Sequence, residues 1–201
     1  MLMRLGAELR ARFLPQGIRF YGRRNGQATK GQIARLEKLL PQVGLDGETS
    51  LDAAGIPKEA KVLMEIGFGN GEFLEYLAQR EPEAWLVGIE PYLPGVAKAL
   101  SRLDRVGALH RVRISLFPAE HVLEKQTPDA FLDGVFIHHP DPWPKKRHHK
   151  RRLIQKPFAR LLARKLKPGG FVKLSTDWPE LAEWMRDILD ETPGLVNVAG
   201  K

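Results

Sequence analysis

The stretch KVLMEIGFGNGEFLEYLAQREPEAWLVGIE, residues 61–90, decides how the chain folds. KVLMEIG is a short apolar run closed by glycine, the composition of a strand covered on both faces. GEFLEYLAQR reads as an amphipathic helix, and AWLVGIE as a second strand. A strand, a helix and a strand within so short a span make a crossover unit, which joins parallel neighbours.

The same alternation continues outward. Downstream, LPGVAKALSRLDRVG is a helix, RVRISLF a strand, AEHVLEKQ a short helix and FLDGVFIHH a strand. RLIQKPFARLLARKLK follows as a helix, GGFVKLS as a fifth strand and PELAEWMRDILDE as a last helix. Alternating strands and helices predict an α/β fold, a mostly parallel sheet with helices on both faces. Upstream, TKGQIARLEKLLPQVGL carries Ile33, Leu36, Leu39 and Leu40 at helical spacing until Pro41 ends the run. The expected division is a basic N-terminal arm and helix over residues 1–58, followed by the α/β domain over 59–201.

Composition limits what such a fold can do. The 201 residues suit one core, and 43% hydrophobic with 28% charged content is that of a folded rather than disordered chain. No apolar run reaches the roughly 20 residues of a membrane span. Arginines at 4, 10, 12 and 19 interrupt any signal-like stretch at the start, so a cytoplasmic location is expected. With no cysteine, disulfide, thiolate and Cys-zinc chemistry are excluded, and no metal is expected.

Lys and Arg outnumber Asp and Glu by 32 to 24, a net charge of +8 that favours a polyanionic partner. The excess is clustered. KKRHHKRR, Lys145 to Arg152, packs six cations and two histidines into eight residues. A solvated charge run is the plain alternative.

In parallel sheets of this kind ligands bind beyond the carboxyl ends of the strands. After the first strand, Gly67, Gly69 and Gly71 let the backbone turn tightly and approach a ligand closely, although a structural turn needs no more than this. A dinucleotide fingerprint would place its third glycine at 72, which is Glu72. Glu90 ends the second strand, where a carboxylate can accept from both ribose hydroxyls, or merely cap a helix. A glycine loop, Glu65 and a strand-end acid describe an adenosine pocket, and S-adenosylmethionine is the adenosyl ligand that suits it. Past the fourth strand Asp141 stands between Pro140 and Pro142, whose fixed φ angles aim it.

PDPWPKKRHHKRRL followed by STDW resembles the signature of the bacterial tRNA (guanine-N7)-methyltransferase family. So do RFYGRRNGQATKGQ near the N-terminus, EIGFGNGEF in the glycine loop and GIEPYLPGV around Glu90. The resemblance implies a Rossmann-like class I methyltransferase fold and methylation of N7 of guanine 46, in the tRNA variable loop, from S-adenosylmethionine. By position it implies cofactor binding by Glu65, Gly67, Gly69, Gly71 and Glu90, with Asp141 catalytic where cofactor meets guanine. Lys145 and Asp177 would contact substrate, and Arg147, His148, His149, Lys150, Arg151 and Arg152 would hold tRNA. Trp143 would stack on an extruded base, or pack against Pro142 and Pro144. The implied partner is tRNA, with no membrane and no metal, and the enzyme would be a monomer or homodimer.

Three features depart from that family. Pro118 stands where an Asp or Asn usually meets adenine, which passes the task to Glu120. His138 and His139 replace an aromatic, and are read as ordinary strand-end residues. Two further strands with a Thr-x-x-Glu motif are lacking, which would leave the fifth strand as an open edge. Two other functions fit the same residues: an RNA-binding protein that has lost catalysis, or an N-methyltransferase on another substrate.

Overall fold

The central strands are buried on both sides, and covering them dictates where the helices lie. The computed structural model describes residues 5–16 and 28–199, so the arm sequence around Arg19, Arg23 and Arg24 lies outside the described residues. In chain order the elements are α1 (Ala7–Phe13), α2 (Lys30–Val43), β1 (Val62–Ile66), α3 (Glu72–Arg80), β2 (Trp85–Ile89), α4 (Leu93–Arg105) and β3 (Val112–Ser115). Then come α5 (Ala119–His121), prolonged by a π-helical turn at Val122–Gln126, β4 (Leu132–His138), α6 (Lys156–Lys165), β5 (Leu166–Ser175) and α7 (Pro179–Asp190).

The sheet order is β3-β2-β1-β4-β5, with every pair parallel. From β1 the chain steps outward to β2 and β3, then returns to lay β4 on the other side of β1. That reversal opens a crevice at the carboxyl ends of β1 and β4, the switch point where ligands bind in open α/β sheets.

Strand alternation divides the core into two layers. Leu63 joins Ile33 and Leu36 of α2, Leu74 of α3 and Leu100 of α4 on one face. Val62, Met64 and Ile66 join Leu162 of α6 and Met185 of α7 on the other. Each fully buried leucine stabilises the fold by about 1.5–3 kcal/mol relative to exposure. By the same alternation Glu65 points into the Leu63 layer, between Gly88 of β2 and Phe136 of β4.

Three boundaries differ from the sequence reading. α2 opens on a capping box between Thr29 and Gln32 and runs past Pro41 to Val43. A proline this near the end removes one helical bond, while Gly44 N–H still reaches Leu40 O at 2.7 Å and Val43 is buried. α6 begins at Lys156 rather than Arg152, because Pro157 fits the first turn and Gln155 turns its side chain to the His149 and Arg152 carbonyls. β5 starts at Leu166, where Leu132 pairs with it before a register shift.

The basic arm also contains α1, whose Phe13 is fully buried and lies so close to Gly44 that a Cβ there would sit 2.7 Å from the ring. At the far edge β5 pairs, among the described residues, with β4 alone. Its Phe171 crosses over Gly134 to meet Phe136 edge-on and is 41% exposed.

Candidate active site

The loop after β1 adopts left-handed backbone at Gly67 (φ 78°), Gly69 (φ 58°) and Gly71 (φ 79°). Side chains rarely take that conformation, which explains the alternating glycines. Gly71 caps α3 and has no room for a Cβ, which would meet the Ala99 Cβ at 2.4 Å. A Cβ on Gly67 would meet nothing within 4 Å, so this part of the loop faces open space.

Glu90 fastens the loop. Its carboxylate accepts from Gly69 N–H at 2.9 Å and from Tyr92 N–H at 3.0 Å, and the residue is buried. A carboxylate offers acceptor sites on both oxygens, so one such group can hold more than one donor.

Glu65 is 3% exposed, and its Oε2 has no hydrogen-bond partner. Burial, then the charges of Glu72 and Glu90, push its carboxyl up to about 8. Its Oε1 lies 3.6 Å from His138 Nδ1, a contact rather than a hydrogen bond. His138 packs edge-on against Phe73, and burial, then the charges of His139 and Lys173, hold its imidazole below the usual value. A buried acid with an orphan oxygen is an expensive arrangement unless a cationic ligand completes it. The ammonium and sulfonium of S-adenosylmethionine are such cations, so the residues present fit that cofactor.

Asp141 is exposed just beyond β4. Its loop is bracketed by two non-glycine residues in left-handed backbone, His139 (φ 48°) and Trp143 (φ 43°). Strain of this kind persists only where surroundings enforce it. His139 N–H bonds Ser175 O at 2.8 Å, which ties the start of the loop to the end of β5. Across the same rim His139 Nδ1 stands 3.5 Å from Asp177 Oδ1, with Asp177 almost fully exposed.

Lys146–Arg151 forms a 3-10 helix, with Lys145, Lys146, Arg147, Lys150 and Arg151 exposed. Trp143 is half-buried, with the Arg151 guanidinium over its ring at 5.1 Å and His148 edge-on at 5.8 Å. Burial, followed by the charges of Arg151, Arg147, Lys145 and Lys150, holds His148 below the ordinary imidazole value.

Arg152 departs from its expected place in the tRNA-holding set. Its side chain is fully buried, because it turns inward to Pro142 O at 2.9 Å and to Glu180 Oε1 at 3.1 Å. His149 also turns inward, edge-on to Trp184 and 3.5 Å from Glu180. Glu180 and Trp184 were not singled out from the sequence, since an acid in the first turn of a helix and a core-facing indole carry no local signal. Glu120 is exposed on α5 past β3. A depression of about 420 Å³ lined by Gln42, Asp104, Gly107, Leu109, His110 and Arg113 lies at the amino end of β3, away from these carboxylates.

A family model described as "Putative methyltransferase" matches residues 59–201. The tRNA (guanine-N(7)-)-methyltransferase of Xanthomonas axonopodis pv. citri is 46% identical over 185 residues, covering 91% of this chain and 70% of that protein. The chain belongs to the tRNA (guanine-N7)-methyltransferase family. The Nitrosococcus oceani relative is also 46% identical, with 78% of its length covered. The Xanthomonas euvesicatoria relative is 47% identical, and the chain spans only 54% of it. The fold resembles that of a SAM-dependent O-methyltransferase from Thermotoga maritima, with TM-score 0.52 and 21% identity over 68% of this chain and 45% of that one. At that identity the likeness is one of fold alone. Among the described residues no helix is long and apolar enough to cross a membrane, and no cluster of three or more His, Asp or Glu is arranged to hold a metal.

Proposed function

We propose that the chain is a tRNA (guanine-N7)-methyltransferase acting on guanine 46 of the variable loop, in the cytoplasm. The observation that carries this reading is the orphan oxygen of buried Glu65, one strand away from the proline-framed Asp141 and its basic helix. An acid left unpartnered beside a glycine loop suits a cationic adenosyl ligand, and exposed cations beside an aimed carboxylate suit an RNA base.

S-adenosylmethionine, when bound, supplies an electrophilic methyl group. Glu65 would hold its cationic end, Glu90 its ribose hydroxyls, and the glycine loop its flat face. No nucleophilic side chain is required, because guanine N7 carries an in-plane lone pair and needs alignment above all. As positive charge develops on the purine, Asp141 stabilises it electrostatically, with Asp177 on the same rim gripping the base edge. Lys145, Lys146, Arg147, Lys150 and Arg151 bind phosphates, and Trp143 offers its remaining face to an extruded base.

Methyl transfer to bulk tRNA followed by nucleoside analysis tests the reaction. N7-methylguanosine is the expected product; a methyl group on another atom rejects the assignment, and tRNA binding without any product favours an RNA-binding protein. Within that assay Asp141→Ala should abolish methylation and leave tRNA affinity within about twofold, since the carboxylate faces the base rather than phosphate. Parallel loss of both would remove Asp141 from the reacting centre.

A further inference from the structure

The basic segment contains one cation that does not face solvent. Arg152 has a fully buried side chain, yet its acidic partner among the described residues, Glu180, is 53% exposed at the start of α7. The guanidinium lies over the Trp184 ring at 4.9 Å, and Trp184 is itself fixed by its indole N–H to Ile154 O at 2.8 Å. Nη2 is shared between Glu180 and His149 Nε2, while Nη1 is buried without a partner. As a space-filler this is poor design, since an apolar side chain of similar volume avoids burying a partly satisfied charge.

The remaining bond explains the arrangement. Nε donates to the carbonyl of Pro142, the residue after Asp141. The loop carrying Asp141 is thus pinned at its start by Ser175 O, through His139, and near its end by Arg152. The two left-handed residues, His139 and Trp143, lie at or beside those pins. With Pro140 and Pro142 restricting the backbone between them, two pins determine the direction of the intervening side chain.

We propose that Arg152 is a positioning residue, whose buried guanidinium ties the Pro142 carbonyl to Glu180 of α7 and thereby sets the aim of the Asp141 carboxylate. It acts through the loop and touches neither phosphate nor base. The proposal rests on the assignment of Asp141 to the reacting centre.

The test compares the full chain with Arg152→Lys, which keeps the charge but loses the directed Nε bond, with Arg152→Gln, which removes the charge, and with Glu180→Ala, which removes the anchor on α7, the folded fraction of each being checked by circular dichroism. Three quantities are read: kcat and KM for bulk tRNA at saturating cofactor, the salt dependence of tRNA binding, and hydrogen exchange across residues 139–143. A loop freed by even an ångström should lower kcat by about 10- to 100-fold in Arg152→Lys and in the same direction in Glu180→Ala. KM for tRNA and the salt slope should hold, and exchange in the loop should quicken. A log–log salt slope lower by roughly 0.7–0.9 in Arg152→Gln would make Arg152 a phosphate ligand and overturn the proposal. So would an unchanged kcat per folded molecule, which would leave it a merely structural residue. Full activity of Asp141→Ala, or a parent chain without activity, would defeat the functional assignment instead. The exchange measurement still decides whether Arg152 and Glu180 pin the loop, and unchanged exchange in all three variants refutes it.

Discussion

Glu65 is the residue whose chemistry depends most on its surroundings. Its carboxyl is raised to about 8 chiefly by burial, so the free protein holds it neutral at pH 7. In the unfolded chain it titrates near the ordinary value of 4.5, so the folded state binds the extra proton between those two values. Its contribution to stability is therefore full below about 4.5 and is lost as pH rises toward 8. A cationic cofactor reverses the preference by stabilising the carboxylate, so binding should release a proton below pH 8 and tighten as pH rises. Calorimetric titration of S-adenosylmethionine at pH 7 in buffers of different ionisation enthalpy should show release of about one proton, absent in Glu65→Gln. Equal heats in all buffers would mean that Glu65 is already ionised. Sequence alone selected Glu65 and Glu90 from their places at strand ends. It did not reveal that Glu90 also holds Gly69 and Tyr92, or that Arg152 faces inward, because both facts depend on contacts between distant elements.

At the scale of elements, the sequence located all five strands, β1 most plainly, because a parallel strand buried at every residue leaves a near-continuous apolar run. Helix ends were less legible. Pro41 reads as a stop, but burial of Val43 carries α2 past it, and Arg152 reads as helix because nothing local shows its tie to Pro142. The basic segment read correctly as cationic, yet its 3-10 winding divides it into outward and inward side chains. Lys146, Arg147, Lys150 and Arg151 of this helix are exposed, and with Lys145 they are the side chains expected on phosphate. Replacing the four by glutamine should weaken binding to all tRNAs alike and flatten the salt dependence by up to about 0.7–0.9 in log–log slope for each phosphate no longer neutralised. Filter binding at several salt concentrations measures the slope. An unchanged slope would move the RNA surface elsewhere on the protein.

Over the whole molecule the sheet separates two kinds of electrostatics. Its switch point gathers the buried acids Glu65 and Glu90 beside the glycine loop, while the exposed cations stand beyond β4. Buried charges are screened little by salt, whereas exposed ones lose most of their long-range attraction within a Debye length of about 8–10 Å at 0.1–0.15 M. The two substrates should therefore respond differently to the same change of solvent. Raising salt from about 50 to 200 mM should weaken tRNA binding by roughly two orders of magnitude if four of the exposed cations each neutralise one phosphate. Cofactor affinity should change by less than about twofold over that range, because it is held by buried groups. Steady-state kinetics with each substrate varied in turn distinguishes them: KM for tRNA climbs with salt, KM for S-adenosylmethionine stays level, and kcat at saturation holds. A comparable rise in both KM values would place the acidic pocket in open solvent, against the burial of Glu65 and Glu90.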